Sequence, residues 1–301
     1  LKRYGDDMGF SSLDDLVNEI TTNGKFHRAD WNKITGASAL TAARWYDFSG
    51  FGGTPVANGW SGTSLAWTSC NESTGNGTQI FGIRHGGNVS TDTKHLLNMS
   101  ALTGISTGVP AQLMLIDLQG YWPGISTNSA SSQTLTGTPT LRYTNGAGCR
   151  LFFVQTSASG ATAHNISLSY SNSTPTSGRS LPVTVACTAS AIAQHITHSG
   201  TAANNYGPFL PLASGDTGVS TVANITFSAA SGGGAGALCL ARPLITLPLA
   251  VTSVSAERDL LNQLPSLPRI IDGACLVWLY FAGNATAAST NFYGSLDFGW
   301  G

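Results

Sequence analysis

Charge is what this sequence has least of. Lys, Arg, Asp and Glu make up 10% of its 301 residues, against roughly 25% in an average soluble protein, and the net charge is −1. Without a basic field, neither nucleic acid nor an anionic membrane is an expected partner. Long apolar runs are missing too. None approaches the roughly 20 residues that cross a bilayer as a helix, and the opening Leu-Lys-Arg-Tyr-Gly-Asp-Asp has no apolar centre of the kind a signal peptide carries. Cysteines at metal-ligand spacing are absent as well. Cys70, Cys149, Cys187, Cys239 and Cys275 are widely separated and odd in number, which fits reduced core thiols better than a disulfide frame or a zinc site.

What is present is apolar and polar-neutral. Apolar residues reach 42%, enough for a sizeable core, and the surface is left mostly to Ser, Thr, Asn and Gly. The run 274–281, Ala-Cys-Leu-Val-Trp-Leu-Tyr-Phe, lies between Asp272-Gly273 and Gly283-Asn284. That length and those flanks predict a strand buried on both faces. Near the C-terminus Leu296, Phe298 and Trp300 alternate with Ser295, Asp297 and Gly299, the period of two that a pleated sheet imposes. Further strands are expected at 64–69, 78–83, 112–118, 140–143, 150–155, 165–170, 182–187, 222–227 and 237–240. The regular alternation of Ile166, Leu168 and Tyr170 with Asn165, Ser167 and Ser169 marks an antiparallel sheet with one wet face. Short strands between Gly, Pro and Asn turns predict a mainly β protein, an antiparallel sandwich or jelly-roll-like body.

The first 47 residues differ in texture. They hold 13 of the 29 formal charges, whereas from Leu151 to Ala241 only Arg179 and Asp216 are charged. Leu13, Leu16, Val17 and Ile20 recur at helical spacing after a Ser11-Ser12 cap, with acids in the first turn and Asn23-Gly24 as the stop. The expected organisation is therefore an N-terminal arm over 1–47 with a short helix, then a β-rich body over 48–301 in two lobes, 48–180 and 181–301. A further short helix is expected over 37–44, and another over 252–264 before Pro265.

No catalytic residue, cofactor or metal ligand is expected. Asp117 in an apolar strand ahead of Tyr121 and Trp122 suggests a carbohydrate-binding or hydrolysing site, but no second carboxylate stands in comparable context. His195 and His198 have i, i+3 spacing without a nearby acid. Ser231 to Gly236, Ser-Gly-Gly-Gly-Ala-Gly, reads as a hairpin tip between Phe227 and Leu238. Contacts with a partner are expected instead at Leu13, Leu16, Val17 and Ile20, at the aromatics Trp45 and Phe51, and at Tyr121 and Trp122.

The charged arm, the charge-poor body and the block Glu257-Arg-Asp-Leu-Leu-Asn-Gln-Leu-Pro leading to Asp272-Gly-Ala-Cys together resemble virion structural proteins of tailed bacteriophages. The likeness is one of texture over most of the chain and of wording from about Asn205 onward. The major capsid protein of such phages has a long spine helix, and no such helix is legible here. The resemblance implies a head decoration, cement or related accessory protein located in the virion. It would act as a homo-oligomer such as a trimer, with major capsid or tail subunits as partners; the alternative is a tail or fibre protein that binds host-surface carbohydrate.

Overall fold

The computed structural model describes residues 9–62, 64–188, 194–199, 207–263 and 267–301. Its main elements are α1 (Leu13–Thr21), β1 (Phe26–Ile34), β2 (Arg44–Asp47), β3 (Lys94–Thr103), β4 (Ala111–Ser126) and β5 (Arg150–Ser157). They continue with β6 (His164–Asn172), β7 (Val219–Phe227), β8 (Ala235–Leu249), β9 (Leu276–Ala282) and β10 (Asn291–Trp300). The chain is mainly β, as its composition and turn spacing predict, and every strand pair among the described residues is antiparallel.

A central sheet runs β2-β9-β4-β8-β5, with Thr68–Ser69 also paired to β4. Its longest strands, β4 and β8, extend past two smaller sheets. The first flanking sheet runs Ala256–Asp259, β3, β10, β1 and Gly52–Thr54, with Arg269–Ile270 paired to β3. The second runs Arg179–Ser180, β6, β7 and Gln133–Thr134, with Val185–Cys187 paired to β6. Leu113, Leu115, Trp278 and Tyr280 of the central sheet meet Trp31, Phe292, Leu296 and Phe298 of the first. Trp122, Leu238, Leu240 and Phe153 meet Ile166, Leu168, Ile225 and Phe227 of the second. The other face of the central sheet, with Ile116, Leu118, Val277 and Leu279, lies beneath Trp60, Phe81, Ile196 and Phe209. Both faces are dry, which is why these strands read as apolar runs rather than alternations.

One irregularity organises β4. Leu240 pairs with Gly120 and Ala241 with Leu118, so Gln119 is the extra residue of a β-bulge, which resets the alternation. Leu115 before it and Trp122 after it thereby serve the same side of the sheet. Gly120 is required there: a Cβ would stand 2.4 Å from the Thr68 carbonyl and 2.5 Å from the Trp67 ring. In β8, Pro243 and Pro248 fall beyond Ala241, where pairing with β5 ends. The missing N–H faces an open edge, and Arg258 covers part of it by donating to the Thr246 carbonyl at 2.6 Å.

Several expectations are corrected. Residues 26–47 are not arm: β1 lies between β10 and Gly52–Thr54, and β2 borders β9. Their charges misled because a strand with one wet face can carry Arg28 and Asp30 outward while Ala29 and Trp31 face the core. The lobes are interleaved in sequence, since β4 and β8 each contribute to both sandwiches. The segment expected as a helix over 252–264 is a strand, Ala256–Asp259, followed by one turn, Leu260–Gln263; pairing with Asn98 to Ala101 overrides its helical spacing. No helix forms over 37–44, where Leu40 bridges to Thr286. The runs 78–83 and 140–143 are not strands. The glycine-rich stretch is a crossover between two sheets rather than a hairpin tip, because β7 and β8 belong to different sheets. The tail before Gly9, the end of the late segment at 264–266, and Asn205 lie outside the described residues.

The helix α1 packs on its own body. Ser12 caps it by accepting from the Asp15 N–H at 3.1 Å, and Leu16, with Phe10 and Ile20, covers Leu97 on the outer face of the first flanking sheet. Deleting residues 1–21 should leave a folded chain destabilised by about 2–4 kcal/mol. That is the loss of two or three buried apolar side chains less the ordering of the helix. Urea denaturation of the truncated chain measures it; loss of cooperative unfolding would mean that the helix is integral to the core.

Candidate functional site

The expected contact residues separate into two groups. Leu13 and Val17, 68% and 51% exposed, stand four residues apart on the outer face of α1. Leu16 is buried and Ile20 is partly covered. Trp45, Phe51, Tyr121 and Trp122 are interior residues and are not available to a partner. The Trp122 indole donates to the Thr136 carbonyl at 3.1 Å and meets the Trp67 ring edge-on. The Tyr121 hydroxyl accepts from Asn76 at 2.9 Å. An aromatic pair after a strand reads the same in a core as on a surface, so the sequence had no means of separating the two.

Asp117 is likewise interior and fully enclosed. One oxygen accepts from Arg142 Nε at 3.1 Å, and the other accepts from an Arg142 terminal nitrogen and from the Cys275 N–H at 2.9 Å. The same guanidinium donates to the Cys70 and Leu118 carbonyls at 2.6 and 2.7 Å. A carboxylate so occupied is a structural pin between β4, the chain at 142 and the start of β9. It has no free lone pair aimed at solvent with which to take a proton from a glycan.

A second buried network escaped the sequence reading. Lys94 on β3 donates to the carbonyls of His85 and Gly87, each at 2.6 Å, and approaches His85 Nδ1 at 3.1 Å. Glu72 accepts from the His85 and Gly87 N–H groups at 2.7 and 3.1 Å, and its other oxygen lies 3.2 Å from His85 Nε2. An ammonium group only donates, so Nδ1 is the acceptor and the ring proton sits on Nε2, near Glu72 but without hydrogen-bond geometry to it. All three side chains are buried, and their work is to hold the 85–87 turn against β3. The two histidines noted for their spacing are also interior: His198 Nε2 meets the Pro208 carbonyl at 3.0 Å, while His195 lies against the Tyr46 ring. Among the described residues no three His, Cys, Asp or Glu side chains converge as metal ligands, and all five cysteines are buried thiols.

Over residues 151–241 the surface is nearly free of charge. Arg179 and Asp216, the sole formal charges between Leu151 and Ala241, pair with each other at 3.0 Å. Hydrogen bonds from Tyr170 and Asn172, then Arg179, bring the Asp216 carboxyl down to about 2. Exposed large apolar side chains are Leu13 and Val17 on α1, Val251 and Val254 after β8, and Tyr293 on β10, among others.

No family model matches this chain, and no curated protein matches it. Two solved structures aligned to it come from infectious bursal disease virus: the "Gt strain" structure and the "VP2 subviral particle" crystal structure. Each is 9% identical, covering 94% of this chain and 86% of its own, with a TM-score of 0.18. A likeness of that size does not establish a shared fold.

Proposed function

We propose that this protein is a structural subunit of a bacteriophage particle, a head decoration or bracing protein whose work is burial of surface against neighbouring subunits. The observation that carries the reading is the surface itself. Between Leu151 and Ala241 the only two charges cancel within the subunit, while Leu13 and Val17 project an apolar pair from α1. Charge repulsion that keeps ordinary proteins apart is weak here, and apolar pairs gain most when a neighbour covers them. The phage resemblance of the 257–275 wording supplies the kind of assembly. The carbohydrate reading loses its site, because Asp117, Tyr121 and Trp122 are interior.

Two measurements test this. Light scattering of the purified chain should give an oligomer that Leu13→Asp with Val17→Asp shifts towards monomer by about tenfold in dissociation constant. An antibody against the chain should label purified phage particles on the head surface in electron micrographs. A highly soluble monomer together with unlabelled particles would sink the proposal.

A further inference from the structure

The first flanking sheet has an open edge beside an apolar groove. In the β1–β10 ladder Phe26 faces Gly299 and Ile34 faces Asn291. The Lys25 carbonyl accepts from Trp300 N–H at 3.3 Å and Thr35 N–H donates to Thr290 at 3.0 Å. Odd-numbered residues of β1 therefore exchange hydrogen bonds with β10, and the N–H and C=O of even-numbered residues point the other way. On that other side Gly52–Thr54 pairs only with Asn32 to Ile34. It ends at Thr54, and Lys33 holds the carbonyl of the next residue, Pro55, at 2.7 Å. The backbone N–H and C=O of Arg28 and Asp30 are left without partners among the described residues.

Alongside this edge lies a groove of about 450 Å³, walled by Thr54 to Val56 and by Ile80, Ile83 and Arg84. Val56 and Ile80 are 53% and 37% exposed at its rim. His27 also lines it, and its Nε2 is shielded from solvent and without a hydrogen-bond partner among the described residues. Exposed edges are commonly blocked by an inward-pointing charge. Along the unpaired stretch the inward residues are His27, Ala29 and Trp31; the inward Lys33 lies where Gly52–Thr54 is already paired, and the charges of Arg28 and Asp30 lie on the outer face, within 3.2 Å of each other.

We propose that this edge is a docking site for an extended segment of another polypeptide, which adds a strand to the sheet at Arg28 and Asp30. Only an extended backbone presents donors and acceptors at the matching spacing of two residues. Its alternate side chains would be aliphatic or aromatic, directed over Ile80 and Ile83, and the residues between them polar, facing the side of Arg28 and Asp30. The free edge is about five residues long, ~17 Å, and the groove volume suits a single strand rather than a helix. A second folded copy does not fit through its own β1, because its Gly52–Thr54 strand would occupy the place needed beside Asn32. The inference stands on backbone geometry and holds whether or not the chain belongs to a particle.

The test uses the full chain and a blocked synthetic peptide, Asn-Ile-Ser-Leu-Ser-Tyr-Ser, copied from 165–171 as a strand probe with apolar residues at every second position. In the protein alone, the Arg28 and Asp30 amides should exchange with deuterium fast while Ala29 and Trp31, bonded to β10, are protected. Adding the peptide should slow Arg28 and Asp30 by about tenfold or more. Asp30→Pro, which removes an outward N–H and no bond to β10, should weaken peptide binding at least ~tenfold; should that variant not fold, Ile80→Glu at the groove rim takes its place with the same expected loss. Arg28 and Asp30 amides already protected in the dilute protein would overturn the proposal, as would unchanged exchange at saturating peptide. Protection that appears with protein concentration alone would overturn it too, by making a second copy the occupant.

Discussion

Arg142→Ala should destabilise the protein by about 3–5 kcal/mol, the cost of leaving a buried carboxylate without its cation. Asp117 is fully enclosed and would retain the Cys275 N–H and the Tyr143 hydroxyl, but no cation, among its partners. The Cys70 and Leu118 carbonyls would lose their donor at the same time. Asp117→Asn keeps the shape and one acceptor, so it should cost less and alter no property except stability. Urea denaturation of both single variants and the double variant gives the coupling between the pair. A loss within ~0.5 kcal/mol for Arg142→Ala, typical of a surface change, would mean that the pin carries no load. Loss of a glycan-degrading activity in Asp117→Asn would reverse the structural reading of that residue.

Lowering the pH from 6.5 to 4 should remove roughly 4 kcal/mol of stability. Burial, with the Arg44 charge and His198 adding to it, pushes His195 down to about 3, and burial takes His198 down to about 4. Above pH 6.5 both are neutral in the folded and unfolded chain. Below it the unfolded chain binds protons that the folded chain refuses, and each histidine costs about 1.4 kcal/mol per pH unit until its folded pKa is reached. Asp47 opposes this. Burial raises its carboxyl to about 6, against hydrogen bonds from Ser49 and Gly50, so below pH 6 the folded chain takes up a proton ahead of the unfolded one and offsets one histidine. Two uncompensated protons between pH 6.5 and 6, then one down to pH 4, give about 4 kcal/mol from these three groups, and His85 and His95, which burial also pushes down, add to the loss in the same direction. Denaturation midpoints measured at pH 7.5, 6, 5 and 4.5 follow it. His195→Phe, replacing a ring whose two nitrogens have no partner among the described residues, should cut the slope by one proton; an unchanged slope would show that another group sets it.

The parts of the fold legible in the sequence are those governed by one rule at a time. In β6, Ile166, Leu168 and Tyr170 are buried and the residues between them wet, because a single face meets the core. β9 reads as a two-sided strand because both its faces are dry. The helix α1 is announced by its cap and its spacing. Where two rules compete, the pattern is lost. β3 is buried by the core on one side and by Leu16 on the other, with a bulge opposite Asp297 and Phe298, so it shows neither period. β1 hides behind its charges, including Lys33, which turns inward to two carbonyls. The Arg142–Asp117 and Lys94–His85–Glu72 contacts join residues 9 to 25 positions apart, at spacings that no local period signals. The open edge at Arg28 and Asp30 is less legible still, because it depends on where a neighbouring strand stops.

The pairing of Phe26 with Gly299 bears on the order of events during synthesis. Sequential hairpins can form as they emerge, but apart from the short contact of Asn32 to Ile34 with Gly52–Thr54, β1 cannot find its long neighbour β10 until almost the whole of this sequence has left the ribosome. Loop closure on that scale makes the first sandwich slow to assemble. Meanwhile the stretch of β1 that carries Ala29 and Trp31 is held unpaired beside other nascent copies. A subunit made in many copies would be prone at this stage to capturing the wrong strand. Cellular folding factors that shield an early strand should therefore raise its soluble yield more than they raise that of a β protein whose first strand pairs with its second.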